Sequence, residues 1–138
     1  WDTLQAIEII SVLEEYDLEW IEQPTRDVAG LLSVRNSTGA SVAADESVDG
    51  IDSARRILEL GAADILVLKP MSLGGLRPAI EIIQLLQGSN LSAVVTTTIE
   101  SGIGTTAALH LASLLPMPVP ACGLATAKLL ATDLRTGK

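Results

Sequence analysis

Four strand-like apolar runs in this chain each stop at an ionisable residue, and this repeated pattern constrains the fold more than any other feature. The first three of these residues are Glu22, Asp45 and Lys69, which follow one another at intervals of 23 and 24 residues. The fourth, Glu100, comes 31 residues later. An interval of this size holds one strand, one helix and two short loops. The chain is therefore expected to repeat a strand–helix unit.

The segments between these runs carry apolar residues at the three- and four-residue spacing of amphipathic helices. The run 65–68 is continuously apolar, which is typical of a parallel strand covered on both faces. The pattern predicts strands over 18–22, 41–45, 64–69, 92–98 and 119–122, and helices over 4–16, 28–36, 49–60, 76–87, 105–115 and 126–134. Such alternation implies an α/β fold with right-handed crossovers, either an open doubly wound sheet or a (β/α)8 barrel.

The composition excludes several classes of function. Hydrophobic residues make up 48% of the 138 residues and charged residues 19%, as in a globular domain with an apolar core. The net charge of −8 leaves no basic face for nucleic acid, and no signal peptide or membrane-spanning stretch is visible. Cys122 is the only cysteine and can form no internal disulfide, which favours a reducing compartment. We therefore expect a cytoplasmic protein.

In a barrel, the carboxyl ends of parallel strands meet at one rim, so Glu22, Asp45 and Lys69 are expected to share one site. Two neighbouring carboxylates repel each other, and a cation between them removes that cost. Oxygen ligands favour Mg²⁺, and no cluster of His and Cys suggests zinc. A lysine opposite the metal can act as a base or stabilise negative charge. The plainer interpretation is that each charged residue only marks the point where its strand meets water.

Other polar residues are weaker candidates. Gly74 and Gly75 precede a predicted helix and could bind phosphate at its N-terminus, or could simply form a tight turn. His110 lies among Ala and Leu in a predicted helix, and we expect a structural role for it. Near the C-terminus, a solvated end is expected for Asp133, Arg135 and Lys138.

The motifs taken together resemble the enolase superfamily, in its muconate-lactonising-enzyme subgroup. The resemblance lies in four segments in the family's order and spacing: Trp20-Ile21-Glu22-Gln23-Pro24, Ala44-Asp45-Glu46-Ser47, Leu68-Lys69-Pro70 with Gly74-Gly75, and Glu100-Ser101-Gly102-Ile103-Gly104. It implies that residues 1–138 are the C-terminal part of a (β/α)8 TIM barrel, with strands about 4 to 8. The N-terminal capping domain and the first barrel strands would be absent, so we interpret the chain as a truncated piece of a longer protein.

The resemblance also implies roles for individual residues. Glu22 and Asp45 would be ligands of an essential Mg²⁺, for which Mn²⁺ could substitute, and Lys69 would be the catalytic lysine facing the substrate. The third metal carboxylate and a Lys-x-Lys motif would lie upstream of residue 1, so the isolated chain is expected to be inactive. Substrate binding, or support of the residues that contact substrate and metal, is expected from Glu46, Glu100 and Ser101.

Residues 121–126 and 129–134 resemble the o-succinylbenzoate synthase branch of the subgroup. This implies a lyase of menaquinone biosynthesis that dehydrates a cyclohexadiene carboxylate through an enediolate. N-acylamino-acid racemase, dipeptide epimerase and muconate cycloisomerase activities remain alternatives on the same scaffold. A metal-free aldolase using Lys69 as a Schiff base and a non-catalytic barrel fragment are further alternatives. We expect a small carboxylate substrate, no nucleic-acid or membrane partner, and self-association through the open sheet edges of a part-barrel.

Overall fold

A computed structural model describes residues 1–134, which alternate between helices and short strands. Each strand leads into a helix that packs back on the sheet, as expected from the repeated apolar runs. The helices are α1 (Thr3–Leu13), α2 (Val28–Ser37), α3 (Ile51–Leu60), α4 (Leu76–Leu85) and α5 (Gly102–Ala112), and the strands are β1 (Ile21–Glu22), β2 (Val42–Ala44), β3 (Ile65–Leu68) and β4 (Ser92–Val95).

The four strands form one parallel sheet in the order β1-β2-β3-β4. Strand order therefore follows chain order, whereas a doubly wound sheet reverses its order at a switch point. A parallel bridge between Thr96 and Gly123 marks a fifth position beside β4. The strand predicted over 119–122 is wrong, because pairing is limited to Gly123, just beyond it.

The strands separate two apolar layers. One strand face packs against the helices, where the largest fully buried side chains include Ile10, Leu31, Ile57 and Ile82. The other face carries a smaller buried cluster made of Ala43, Ile65, Val67 and Val94, with Trp20 beside them. This second face is called the inner face below. Because side chains alternate along a strand, the residue two positions after Ala43 or Val67 lies on the inner face as well.

The amino ends of the strands are tied together by Asp64. Its carboxylate accepts hydrogen bonds from Arg35 Nε (2.9 Å) and Nη2 (2.7 Å) and from the Val42 amide (3.0 Å). Arg35 also donates to the Gly61 carbonyl at 3.2 Å, which joins α2 to the end of α3. Burial alone would raise the pKa of Asp64, but the bonds from Arg35 and Val42 hold that pKa below its ordinary value.

The end of the described chain differs from the prediction. The helix expected over 126–134 is only a four-residue 3-10 helix, Thr126–Leu129. The helix stops there because Leu130 has extended backbone (φ −79°, ψ 135°), while the Thr126 hydroxyl ties the first helical residue to the Thr97 hydroxyl and the Thr98 carbonyl. Asp133 accepts from the Gly102 amide through both carboxylate oxygens (2.9 Å each), so it caps α5 and is not merely part of a solvated end. Arg135 and Lys138 lie outside the described residues.

The helix α5 starts earlier than the predicted 105–115, and α1 ends before the predicted residue 16, where a 3-10 turn covers Glu14–Tyr16. Across residues 1–134, each helix is too short or too polar to cross a membrane.

Candidate active site

The structure places the three leading candidates at the carboxyl ends of neighbouring strands. Glu22 is the last residue of β1, Asp45 directly follows β2 and Lys69 directly follows β3. Asp45 lies two residues beyond Ala43, and Lys69 two beyond Val67, so both stand on the inner face. The predicted convergence of these side chains on one side of the sheet is thus present.

Asp45 and Lys69 form an ion pair that bridges β2 and β3. The Lys69 Nζ atom donates to Asp45 Oδ2. The Asp45 side chain is 8% exposed and that of Lys69 is 26% exposed, so the pair is largely withdrawn from water. A buried carboxylate needs such a partner, because an isolated charge in this environment is strongly destabilised.

Glu22 lies beside this pair and is the more solvent-exposed carboxylate. Partial burial raises the pKa of Glu22 above its ordinary value of 4.5, and the negative charge of Asp45 raises it further, while Lys69 acts in the opposite direction. The ionised form of Glu22 is therefore destabilised in the protein alone. A hard cation between Glu22 and Asp45 would relieve this repulsion, so this oxygen donor set fits Mg²⁺.

Within residues 1–134, no group of three or more His, Cys, Asp or Glu side chains is placed to hold a metal ion. Two carboxylates cannot complete an octahedral Mg²⁺ shell. The remaining oxygens would have to come from water, from a substrate or from protein outside this set of residues.

Gln23 also belongs to the site, although its sequence position alone did not single it out as a candidate. Its Oε1 accepts from the amides of Asp45 (2.8 Å) and Ser47 (3.3 Å), and its Nε2 donates to the Thr25 carbonyl (2.9 Å) and the Ser47 hydroxyl (2.8 Å). The side chain thus joins the loop after β1 to the loop after β2. The sequence signal for Gln23 is its place directly after Glu22, within the segment 20–24 that carries the family resemblance.

Thr96 was also missed. Its hydroxyl is buried and has no hydrogen-bond partner among the described residues. Leu68 pairs with Val95 in the sheet, so Lys69 and Thr96 are the next residues along their two strands and lie side by side. An unpaired buried hydroxyl can serve a bound ligand or a water molecule.

The three supporting candidates differ in their surroundings. Glu46 is exposed, and its negative charge raises the pKa of Glu22 slightly. Glu100 is buried, and its Oε1 accepts from the amide and the hydroxyl of Thr98 (3.1 Å each). Ser101 is the N-cap residue of α5 but makes no capping bond through its side chain, since Asp133 binds there instead. A direct role of these three in substrate binding stays a prediction.

The remaining candidates are the glycine pair Gly74-Gly75 and His110. Gly74 (φ 87°) and Gly75 (φ 127°) have left-handed backbone, and the Gly75 amide donates to the Pro70 carbonyl at 2.7 Å. These angles support the interpretation of Gly74 and Gly75 as a tight turn, and not as a phosphate-binding site, because glycine adopts such angles without strain. His110 is exposed in the last turn of α5.

Comparisons with known proteins agree with this geometry. The sequence profile of the enolase C-terminal domain-like family matches residues 1–138. The chain is 38% identical over 134 residues to o-succinylbenzoate synthase from Thermobifida fusca, covering 97% of this chain and 41% of that protein. It is 34% identical over 125 residues to o-succinylbenzoate synthase from Mycobacterium leprae, covering 91% of this chain and 36% of that protein.

A solved structure of dipeptide epimerase from Enterococcus faecalis, complexed with Mg and the dipeptide L-Leu-L-Tyr, superposes with a TM-score of 0.91 at 29% identity. The match covers 99% of this chain and 39% of that chain. The chain thus spans about two fifths of the length of the relatives it matches. The sheet order and these similarities select the barrel over the doubly wound sheet, and the chain belongs to the enolase C-terminal domain-like family.

Proposed function

We propose that this chain supplies the metal-binding carboxylates and the substrate-facing lysine of a Mg²⁺-dependent lyase of the o-succinylbenzoate synthase type. The observation that carries the proposal is the pairing of Lys69 with Asp45 beside Glu22, at the carboxyl ends of three adjacent strands. The identity of 38% to a synthase supports the choice of reaction within the family.

In this proposal Glu22 and Asp45 hold the Mg²⁺ ion. The ion, when bound, would neutralise a substrate carboxylate and stabilise the negative charge that develops when the neighbouring carbon loses a proton. Lys69, on the inner face, presents its ammonium group to the same charge. The buried setting strengthens that interaction, because water does not screen it fully.

Lys69 must exchange its partner for this role. In the structure its ammonium group donates to Asp45, which is also a proposed metal ligand. A cation bound to Asp45 would take over the neutralisation of that carboxylate and would leave the Lys69 ammonium group available to the substrate.

A racemase or epimerase on the same scaffold is the second candidate. It is favoured by the similarity to the dipeptide epimerase from Enterococcus faecalis, at 29% identity. Both reactions begin with proton removal next to a carboxylate, so Glu22 and Asp45 would keep their role. Lys69 would then exchange a proton with the substrate instead of acting through its charge.

A Schiff-base aldolase has less support. A lysine that forms a Schiff base must react as a neutral amine. In the structure the Lys69 Nζ atom is engaged in an ion pair with Asp45 and is not presented as a free amine. No observation among the described residues favours a purely structural role.

Activity belongs to the longer protein in this proposal, because two carboxylates and one lysine do not complete the site. We propose a cytoplasmic enzyme with a small carboxylate substrate and Mg²⁺, in which Mn²⁺ can substitute. Self-association of the isolated chain through the open edges at β1 and beside β4 is part of the same proposal.

The test uses the full-length protein after removal of metal with a chelator. Dehydration of the cyclohexadiene carboxylate should disappear and should return with Mg²⁺ or Mn²⁺. Epimerisation of N-acylamino acids and dipeptides, assayed in parallel, separates the second candidate. Full activity without metal, together with borohydride trapping of substrate on Lys69, would favour the aldolase, whereas absence of both metal binding and turnover would favour the structural role.

A further inference from the structure

We propose that Gln23 is a positioning residue, which sets the separation of the Glu22 and Asp45 carboxylates for the divalent cation that they would share. The inference rests on the proposed function, since it assumes that these two residues bind the cation. It assigns to Gln23 a role in metal affinity and not only in stability.

Gln23 connects the two loops that carry the carboxylates. Gln23 is covalently next to Glu22, and its Oε1 atom accepts from the Asp45 amide at 2.8 Å. One side chain therefore links the backbone that carries the first carboxylate to the backbone that carries the second. A displacement of either loop must break or bend this hydrogen bond.

The backbone pairing of β1 with β2 stops at Gln23. The strand β1 has two residues, and the last backbone bond from β1 to β2 runs from the Gln23 amide to the Ala43 carbonyl at 2.8 Å. Beyond it, no backbone–backbone hydrogen bond joins the loop 24–27 to the loop 45–49 in the described part of the chain. The Gln23 side chain replaces the missing ladder with bonds to Asp45 and Ser47.

Four hydrogen bonds hold the Gln23 side chain in one orientation. The amide group of Gln23 uses both N–H groups and two acceptor positions, which leaves it no freedom to rotate. The backbone of Gln23 has φ 38°, in the left-handed region that a non-glycine residue adopts only when its surroundings hold it there. Such backbone strain is retained at positions where the side chain must point in one direction.

The experiment compares two substitutions in the full-length protein. Gln23→Met keeps the length of the side chain and removes its donors and acceptors, while Gln23→Gly also removes the backbone strain. The control is Gln84→Met, at an exposed position of α4. Mg²⁺ affinity is measured by calorimetry and Mn²⁺ affinity by electron paramagnetic resonance, at a temperature where thermal unfolding shows every variant to be folded.

Both Gln23 variants should bind the metal about 10- to 100-fold more weakly, the range seen when a residue supporting a metal ligand is lost. The Mg²⁺ concentration needed for half-maximal activity should rise equally, while kcat at saturating Mg²⁺ returns to within about twofold of the wild type. A merely structural residue would lower stability without this metal-dependent recovery. The control should match the wild type in every measurement.

Ser47→Ala provides the second test if the Gln23 variants fail to fold. It removes only the hydroxyl that accepts from Gln23 Nε2, and a several-fold loss of metal affinity is expected. Unchanged metal affinity in the folded variants of Gln23, or in Ser47→Ala if those do not fold, overturns the inference but leaves the proposed function intact. A wild-type protein that binds neither Mg²⁺ nor Mn²⁺ overturns both.

Discussion

Lys69 and Asp45 neutralise each other across the ends of two adjacent parallel strands, and the Asp45 carboxylate is almost fully buried. The pair brings together one proposed metal ligand and the proposed catalytic lysine. Metal and lysine are therefore expected to compete for the same carboxylate oxygen, and this competition has a measurable consequence.

Lys69→Met should separate catalysis from metal binding. We expect kcat of the full-length enzyme to fall by about 10²- to 10⁴-fold, the usual range for loss of an acid–base group. Mg²⁺ affinity should stay the same or increase, because a competing cation has been removed from Asp45. Steady-state kinetics and calorimetry check the two quantities, and a variant with much weaker Mg²⁺ binding would argue against the competition.

Glu22→Gln and Asp45→Asn should each weaken Mg²⁺ binding by more than about tenfold, which corresponds to roughly 1.4 kcal/mol. Each change removes one negative charge and one strong oxygen ligand from the site. Glu46→Gln is the matched control, because Glu46 is exposed and is not a proposed metal ligand, although its charge also acts on Glu22. Calorimetric titration of the three variants with Mg²⁺ tests the ligand assignment, and equal Mg²⁺ affinities in all three would refute it.

Asp64→Asn should lower the free energy of unfolding by about 1–3 kcal/mol, since Arg35 loses its charged partner. The loss should depend on pH. The pKa of Asp64 in the folded protein lies below its ordinary value of 3.8, so its contribution is present above about pH 4 and disappears as the pH falls through the folded pKa.

Denaturant unfolding at a series of pH values tests this. The stability of the wild type should decline more steeply in acid than that of Asp64→Asn, and the two should converge at low pH. Glu59→Gln, at an exposed position of α3, should leave the slope nearly unchanged. A constant difference between the wild type and Asp64→Asn at every pH would contradict the assignment.

Gly30→Ala should destabilise the protein by about 1–3 kcal/mol, the usual cost of overpacking. An added Cβ would lie 2.6 Å from Thr25 Oγ1 and 2.7 Å from Thr25 Cβ, and Thr25 is buried. Because the Thr25 carbonyl also accepts from Gln23, the strain reaches the loop beside the site. In Gly39→Ala the nearest side-chain atom would lie at 3.5 Å, so a near-neutral change in melting temperature is expected there.

The fold class could be predicted because it depends on short-range patterns. Apolar periodicity and the repeated charged ends located the four strands β1 to β4, and the helix between each two successive strands indicated parallel connections. The motifs around Glu22, Asp45 and Lys69 then indicated the family. The prediction failed after residue 115, where the chain has few apolar contacts and where Thr126 and Asp133 bond to the ends of β4 and α5.

By itself, the sequence determined which residues reach the carboxyl ends of the strands, because strand length and side-chain alternation are local properties. Only the tertiary structure decided which of them meet. The pairing of Lys69 with Asp45 and the link from Gln23 to the Asp45 loop both join groups that lie far apart in the chain. Such contacts depend on strand register and loop conformation, and no spacing along the chain encodes them.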